Sequence, residues 1–64
     1  MREVLDVLKQ ARETRDLASR ARKRAATLQD RADHNRVLRH AEELDQQAAA
    51  LEQKAEQIKR PTIF

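Results

Sequence analysis

Hydrophobic positions recur every seven residues along most of this chain, and the repeat changes phase once. In the first half, one row of the repeat contains Val4, Ala11, Ala18, Ala25 and Ala32, and the row beside it contains Val7, Thr14, Ala21 and Leu28. In the second half, the two rows contain Ala41, Ala48 and Ala55 and, beside them, Val37, Leu44, Leu51 and Ile58. A seven-residue apolar repeat is typical of helices that pack as coiled coils. The change of phase around residues 33–35 therefore predicts two amphipathic helices.

The limits of these helices are predicted from the residues that flank them. Nearly every residue up to Lys59 is a good helix former, and the only proline, Pro61, follows that run. The chain has no glycine, so one residue of the Asp-His-Asn turn is expected to adopt the left-handed conformation. We expect a first helix over about residues 3–32, a turn at about 33–35, a second helix over about 36–59 and a short extended tail at 61–64.

Packing arithmetic favours an antiparallel hairpin over residues 1–60, which makes the predicted fold a single all-α unit. In antiparallel helices, residues that lie side by side have numbers that add up to a constant. Ala25 with Leu44 and Ala18 with Leu51 both add up to 69, and each pair sets a small side chain against a large one. The predicted seam of this alanine/leucine coiled coil contains Ala11, Ala18, Ala25, Leu28, Ala41, Leu44, Ala48, Leu51, Ala55 and Ile58.

Charged residues beside the seam follow nearly the same rule. Arg15 with Glu52 and Arg22 with Asp45 both add up to 67, which predicts ion pairs between a basic edge of the first helix and an acidic edge of the second. Two long, uninterrupted helices exchanged between copies would make the same contacts. Such a swapped dimer is therefore the alternative to the hairpin.

A lone hairpin of this composition has few large side chains to bury. Without cysteine it also lacks disulfides, so self-association is the expected support. A second apolar face is predicted from four leucines beside the seam: Leu5, Leu8, Leu17 and Leu38. We expect this face to be self-complementary and to build a homodimeric four-helix bundle. Its other interpretation is a groove for the helix of a foreign protein.

Positive charge is concentrated in the first half of the chain, within a formal net charge of +3. Its densest run, Arg20, Arg22, Lys23 and Arg24, indicates possible contacts with nucleic acid. With a single aromatic residue the chain has little to stack on bases, so such binding would depend on phosphates and duplex shape. A dimerising hairpin of this length resembles in layout the plasmid copy-control RNA-binding protein Rop. This resemblance implies RNA binding as one interpretation and carries over no residue.

The sequence gives no indication of catalysis, of a metal or cofactor, or of a small-molecule substrate. His34 and His40 are six residues apart, a spacing that does not place them on one helical face. The Glu three residues before His that di-iron bundles use is replaced by Arg31 and Val37. We therefore expect no catalytic residue, and we interpret His34 as a turn or capping residue and His40 as a residue flanking the seam.

The location predicted by default is the cytoplasm. Apolar runs are only a few residues long, so no membrane contact is expected, and the amino terminus lacks the layout of a signal peptide. We predict a non-enzymatic helical module for protein–protein interaction or assembly, which acts through coiled-coil packing. The alternative is a small RNA- or DNA-binding protein that uses the basic run of the first helix.

Overall fold

The chain forms an antiparallel pair of helices, as its heptad pattern predicts. The structure is a computed structural model that describes residues 2–59, and of Lys59 only the backbone. Helix α1 spans Arg2–Thr27 and helix α2 spans Arg31–Lys59. Every described residue outside the connecting turn is thus helical, and the all-α hairpin is confirmed. The predicted tail at 61–64 lies outside the described residues.

The turn between the helices lies earlier than the sequence predicted. It consists of residues 28–30 and not 33–35, so α1 ends five residues earlier than expected and α2 starts five residues sooner. The backbone N–H of Leu28 donates to the carbonyl of Ala25 at 3.1 Å, which closes the last turn of α1. The side chain of Asp30 accepts from the N–H of Ala32 at 2.8 Å, and its carbonyl accepts from the N–H of His34 at 2.9 Å. Asp30 is therefore the N-cap of α2.

His34 strengthens this turn from the second helix. Its Nδ1 lies 2.7 Å from the carbonyl oxygen of Ala25, one of the last carbonyls of α1, which have no partner within the helix. Because a carbonyl only accepts, Nδ1 carries the hydrogen and donates. No described residue has a positive φ angle, so the expected left-handed turn residue is absent from residues 2–59. His34 is indeed a capping residue, but it acts across the turn from inside α2.

This turn sets a register that differs from the predicted one. Only three residues separate the helices, so Thr27, the last residue of α1, lies beside Arg31, the first residue of α2. Further from the turn, His34 bonds to Ala25, and these two numbers add up to 59. Since both helices rise by about 1.5 Å per residue, the same sum holds along the whole pair. Ala18 is therefore level with Ala41, and the predicted layers with numbers adding up to 69 are wrong.

The predicted ion pairs are nevertheless present, and the lean of helical side chains explains why. Long side chains tilt toward the N-terminus of their own helix, so in antiparallel helices the two sets lean in opposite directions. Arg15 leans away from the turn and Glu52, which lies further from the turn, leans back toward it. Their side chains therefore meet although their numbers add up to 67, which is eight more than the sum of 59 for residues at the same level of the backbone. Arg22 reaches Asp45 in the same way.

The seam between the helices consists mainly of alanine. Ala18, Ala25, Ala41 and Ala48 are fully buried at 0% exposure, and Ala11 and Ala55 at 2% and 3%. In the register described above, Ala11 is level with Ala48 as Ala18 is with Ala41, so two layers set alanine against alanine. Such layers allow helix axes to approach to about 8 Å, the short end of helix packing.

Larger seam residues lie at the margins of this interface. Leu44 is buried, Leu28 and Leu51 are partly buried, and Ile58, which was predicted in the seam, is 37% exposed. Ala32, from the predicted first row, is exposed because it falls in the first turn of α2 and not at the end of α1. The hairpin therefore has a narrow core with its large side chains along the edge.

Close approach at the alanine layers predicts that larger residues are not tolerated there. Ala48→Leu should lower the free energy of unfolding by about 1–3 kcal/mol, because a leucine must force the helices apart. Ala49→Leu changes the next residue, which is exposed, and should alter stability by less than about 0.5 kcal/mol. Urea unfolding followed by circular dichroism at one protein concentration measures both. Equal effects of the two substitutions would contradict the close approach of the helices at Ala48.

Candidate functional site

The hairpin has two broad faces, one on each side of the seam, and charged residues cover the first. We call Arg15, Arg22, Asp45 and Glu52 the ionic face. Arg15 holds Glu52 with two bonds, from Nε to Oε2 at 2.9 Å and from Nη2 to Oε1 at 2.6 Å. Its Nη1 lies 3.6 Å from Oδ1 of Asp45, whose other oxygen binds Arg22. Four side chains thus form one network across both helices.

Within the ionic face, Arg15 and Glu52 shift each other's pKa. Hydrogen bonds from Arg15, aided by its positive charge, lower the pKa of Glu52, while partial desolvation opposes that shift. The same hydrogen bonds and the charge of Glu52 raise the pKa of Arg15. Both side chains are close to half exposed, at 46% and 44%, so the network contributes little stability and acts mainly on register.

The second face contains an apolar groove between the helices. The groove has a volume of about 400 Å³, and its floor is formed by Leu17, Ala21, Val37 and Leu44. Its rim is formed by Arg20, Arg24, Arg36 and His40. A smaller groove of about 210 Å³ shares Arg24, Arg36 and Val37 and reaches Leu28 near the turn. Apolar surface thus remains open along this side of the seam.

Seven-residue rows extend this surface over most of the hairpin. A spacing of seven residues is close to two helical turns, so such residues lie on one side of a helix. We call the following residues the apolar face: Leu17, Val7, Thr14, Ala21 and Leu28 on α1, and Val37, Leu44, Leu51 and Ile58 on α2. Leu17 is 50% exposed and Ile58 37% exposed, while Val37 and Leu51 are partly buried. Val7 and Leu44 are buried, so the large side chains that this face leaves most open are Leu17 and Ile58.

The four leucines predicted to form a second apolar face are divided between the two sides. Leu8 lies seven residues before Arg15, and Leu38 lies seven before Asp45, so both border the ionic face. Leu17 is nine residues from Leu8, about half a turn around the helix, and lies on the apolar face. Leu5, 65% exposed, lies on the outer edge of α1. The seven-residue pattern does not by itself distinguish the two flanks of the seam, so leucines of both flanks are predicted to share one face.

The row from Val37 to Ile58 is the part of the site that sequence reasoning missed. The sequence pattern places this row wholly in the seam. Each helix, however, carries two apolar rows, and one row from each helix is enough to fill a narrow alanine seam. The signal was present in the size difference between the rows. Alanines fit between close helices, whereas leucines of the neighbouring row extend to the edge.

The predicted nucleic-acid residues do not form one patch. Arg22 belongs to the ionic face, and Arg20, which is bonded to Asp16 at 3.0 Å, lies with Arg24 at the rim of the groove. Lys23, the residue after Arg22, lies about 100° further around α1 and faces solvent. Among residues 2–59, neither Lys23 nor Arg24 takes part in an ion pair. The four cations are therefore divided among three sides of α1, with Arg20 and Arg24 on one of them.

Other kinds of site find little support within the described residues. No three His, Asp or Glu side chains of residues 2–59 come together as metal ligands. Neither helix has a stretch apolar and long enough to cross a lipid bilayer. No protein-family model, curated protein or solved structure matches the chain. The apolar face is thus the candidate site that the geometry singles out.

The ionic face predicts a low pKa for Glu52. Protonation of this carboxylate would break its bonds with Arg15, so the pair stabilises the fold near neutral pH and loses that effect as the pH falls through the lowered pKa. The carboxyl ¹³C chemical shift of Glu52, followed against pH, measures the value. Arg15→Gln should return the pKa toward that of an ordinary glutamate, whereas Arg12→Gln, which removes a nearby arginine without an ion pair, should leave it low. A pKa insensitive to Arg15→Gln would contradict the pair.

Proposed function

We propose that this protein is a non-enzymatic helical assembly module that binds a second copy of itself through the apolar face. The observation that carries this proposal is the groove floored by Leu17, Ala21, Val37 and Leu44, which lies open on the side of the seam opposite the ion-pair network. Two layers of helices packed face to face would cover both grooves and form a four-helix bundle.

The size of the core supports the need for a second layer. In residues 2–58 the buried apolar side chains are six alanines with Val7 and Leu44, and no large side chain is fully buried. Burial of a leucine, isoleucine or valine contributes about 1.5–3 kcal/mol, far more than burial of alanine. On the apolar face, Leu17 and Ile58 are 50% and 37% exposed, so a second layer of helices would bury apolar surface that the hairpin leaves open.

The shape and charge of the face fit a helical partner of the same kind. Small residues, Thr14 and Ala21, alternate with the larger residues along the groove and leave room for side chains from another helix. The groove is bordered by cations, and this chain carries acidic residues on its own helices. A second copy therefore supplies both the apolar side chains and the counter-charges.

The proposal predicts that Leu17 controls self-association. Leu17→Glu should raise the dissociation constant of the dimer by about 100-fold or more, because each dimer loses two leucines from its interface at about 1.5 kcal/mol or more each. Leu5→Glu is the matched control, since Leu5 is an exposed leucine of the same helix outside the apolar face. Light scattering over a concentration series measures both variants and the unmodified chain.

Three results bear on this prediction. Loss of the dimer in Leu17→Glu with a normal dimer in Leu5→Glu supports the apolar face. The reverse result would place the interface on the outer edge of α1. An unmodified chain that stays monomeric up to about 1 mM, where even an association of about −4 kcal/mol is half formed, would overturn the proposal.

Duplex RNA or DNA binding near the turn is the second candidate. It is favoured by charge, because residues 17–42, the half of the hairpin nearest the turn, contain seven Lys or Arg and three Asp or Glu, a net charge of +4. The divergence of the four predicted cations and the ion pairs of Arg20 and Arg22 favour self-assembly instead.

Salt dependence separates the two candidates. If four cations contact phosphates, affinity for duplex RNA should fall by about 100-fold between about 50 and 200 mM salt. Replacing Arg20, Lys23 and Arg24 by Gln should then abolish binding, whereas replacing Lys9, Arg12 and Lys54 by Gln, an equal loss of charge far from the turn, should not. Equal effects of the two triple changes would exclude a specific site at the turn.

A further inference from the structure

Charge is distributed unevenly along the length of the hairpin. In the observed register, residues 17–42 form the half nearest the turn and residues 2–16 with 43–59 form the open half. The half nearest the turn has a net charge of +4, while the open half contains six Lys or Arg and eight Asp or Glu, a net charge of −2. The hairpin thus has a positive half next to the turn and a weakly negative open half.

Symmetry leaves two ways to pack two such hairpins face to face. A two-fold axis parallel to the helices puts both turns at the same end and sets α1 against α2 of the partner. A two-fold axis across the helices puts the turns at opposite ends and sets α1 against α1 of the partner. The first arrangement brings two +4 halves together, whereas the second sets each +4 half against a −2 half.

From this polarity we infer that two copies pack antiparallel through their apolar faces, with the two-fold axis passing near Leu17. This inference rests on the proposed self-assembly and adds the orientation of the partner. Leu17 is the most exposed residue of the apolar face and lies at the boundary between the two charged halves. Each Leu17 then meets the same residue of the other copy at the centre of the interface.

The edge of α1 that borders the apolar face fits this arrangement in detail. Before Leu17 this edge carries three acidic residues, Glu3, Asp6 and Glu13, and one cation, Arg2, and after Leu17 it carries the cations Arg20 and Arg24. About an axis at Leu17, Arg24 of one copy lies beside Glu13 of the other, and the pair occurs twice. Their numbers add up to 37, slightly above the backbone sum of 34, which is the direction in which antiparallel side chains lean together.

Both members of this pair lack an ionic partner in the hairpin. Neither Glu13 nor Arg24 takes part in an ion pair among the described residues, while Arg20 is bonded to Asp16. The two residues are eleven positions apart on one helix, about 16 Å, so they cannot pair within one chain. Contact between copies would give both a counter-charge and would favour the antiparallel orientation.

Cysteine crosslinking tests the orientation directly, because the chain has no cysteine of its own. With a short bismaleimide, and at a protein concentration at which light scattering shows the Leu17→Cys variant itself to be dimeric, this variant should form covalent dimers rapidly. Gln29→Cys should not, since in the antiparallel arrangement the two turns are about 36 Å apart. Ser19→Cys, at nearly the same level but on the outer edge of α1, measures the collisional background. Crosslinking of Gln29→Cys but not Leu17→Cys would overturn the antiparallel orientation.

Charge reversal tests the pairing of Glu13 with Arg24. Glu13→Arg and Arg24→Glu should each raise the dissociation constant about tenfold, because each turns two attractive contacts into repulsive ones. The variant carrying both changes exchanges the charges and should return to within about threefold of the original value. Additive weakening in the double variant would overturn the pairing.

The outcomes also separate this inference from the proposed function. A chain that dimerises but crosslinks only at Gln29→Cys keeps the assembly function and loses the antiparallel orientation. A chain that dimerises without crosslinking any variant above the Ser19→Cys background loses the axis at Leu17. A monomeric unmodified chain overturns the assembly function and this inference together.

Discussion

The short connection between the helices is the constraint on which the rest of the structure depends. Three residues leave no slack, so the first turn of α2 starts level with the last turn of α1. Asp30 and His34 stabilise this connection through the N-terminus of α2 and the carbonyl of Ala25. A heptad repeat matches itself again after seven residues, so apolar rows alone permit several registers. The connection selects one of them, and every contact further along the pair follows from that selection.

Alanine against alanine is the main consequence of the selected register. Small side chains at Ala18 and Ala41 let the helices lie close together, and this closeness leaves no room for the neighbouring leucines inside the seam. Leu17, Val37, Leu51 and Ile58 are therefore displaced to one side, where the hairpin covers them only in part. A tight two-helix core and an open apolar face are thus two results of the same packing.

Electrostatics distinguishes the two faces and gives the hairpin a direction. On one side, Arg15 bridges Asp45 and Glu52 and closes that face to an apolar partner. On the other, cations border an apolar groove, and the two halves of the hairpin carry net charges of opposite sign. Individual exposed ion pairs contribute little to folding, but charges repeated along a rod discriminate between orientations that apolar packing treats as equal. In the proposed dimer, apolar burial would therefore supply the affinity and charge would select the orientation of the two copies.

The sequence by itself determined the helical class, the two-helix division, the buried alanine rows and the ion pairs of Arg15 and Arg22. The helices and the alanine rows follow from the seven-residue period. The ion pairs follow from residue type, because long charged side chains can meet even when the predicted register is wrong by several residues. Only the tertiary structure decided the turn, the register and the faces. Asp30, Asp33 and Asn35 are all competent N-caps by residue type, and the bond from His34 to Ala25 forms only once the helices are folded together. Which leucines stay exposed depends in turn on how closely the alanines approach, a distance that no single helix specifies.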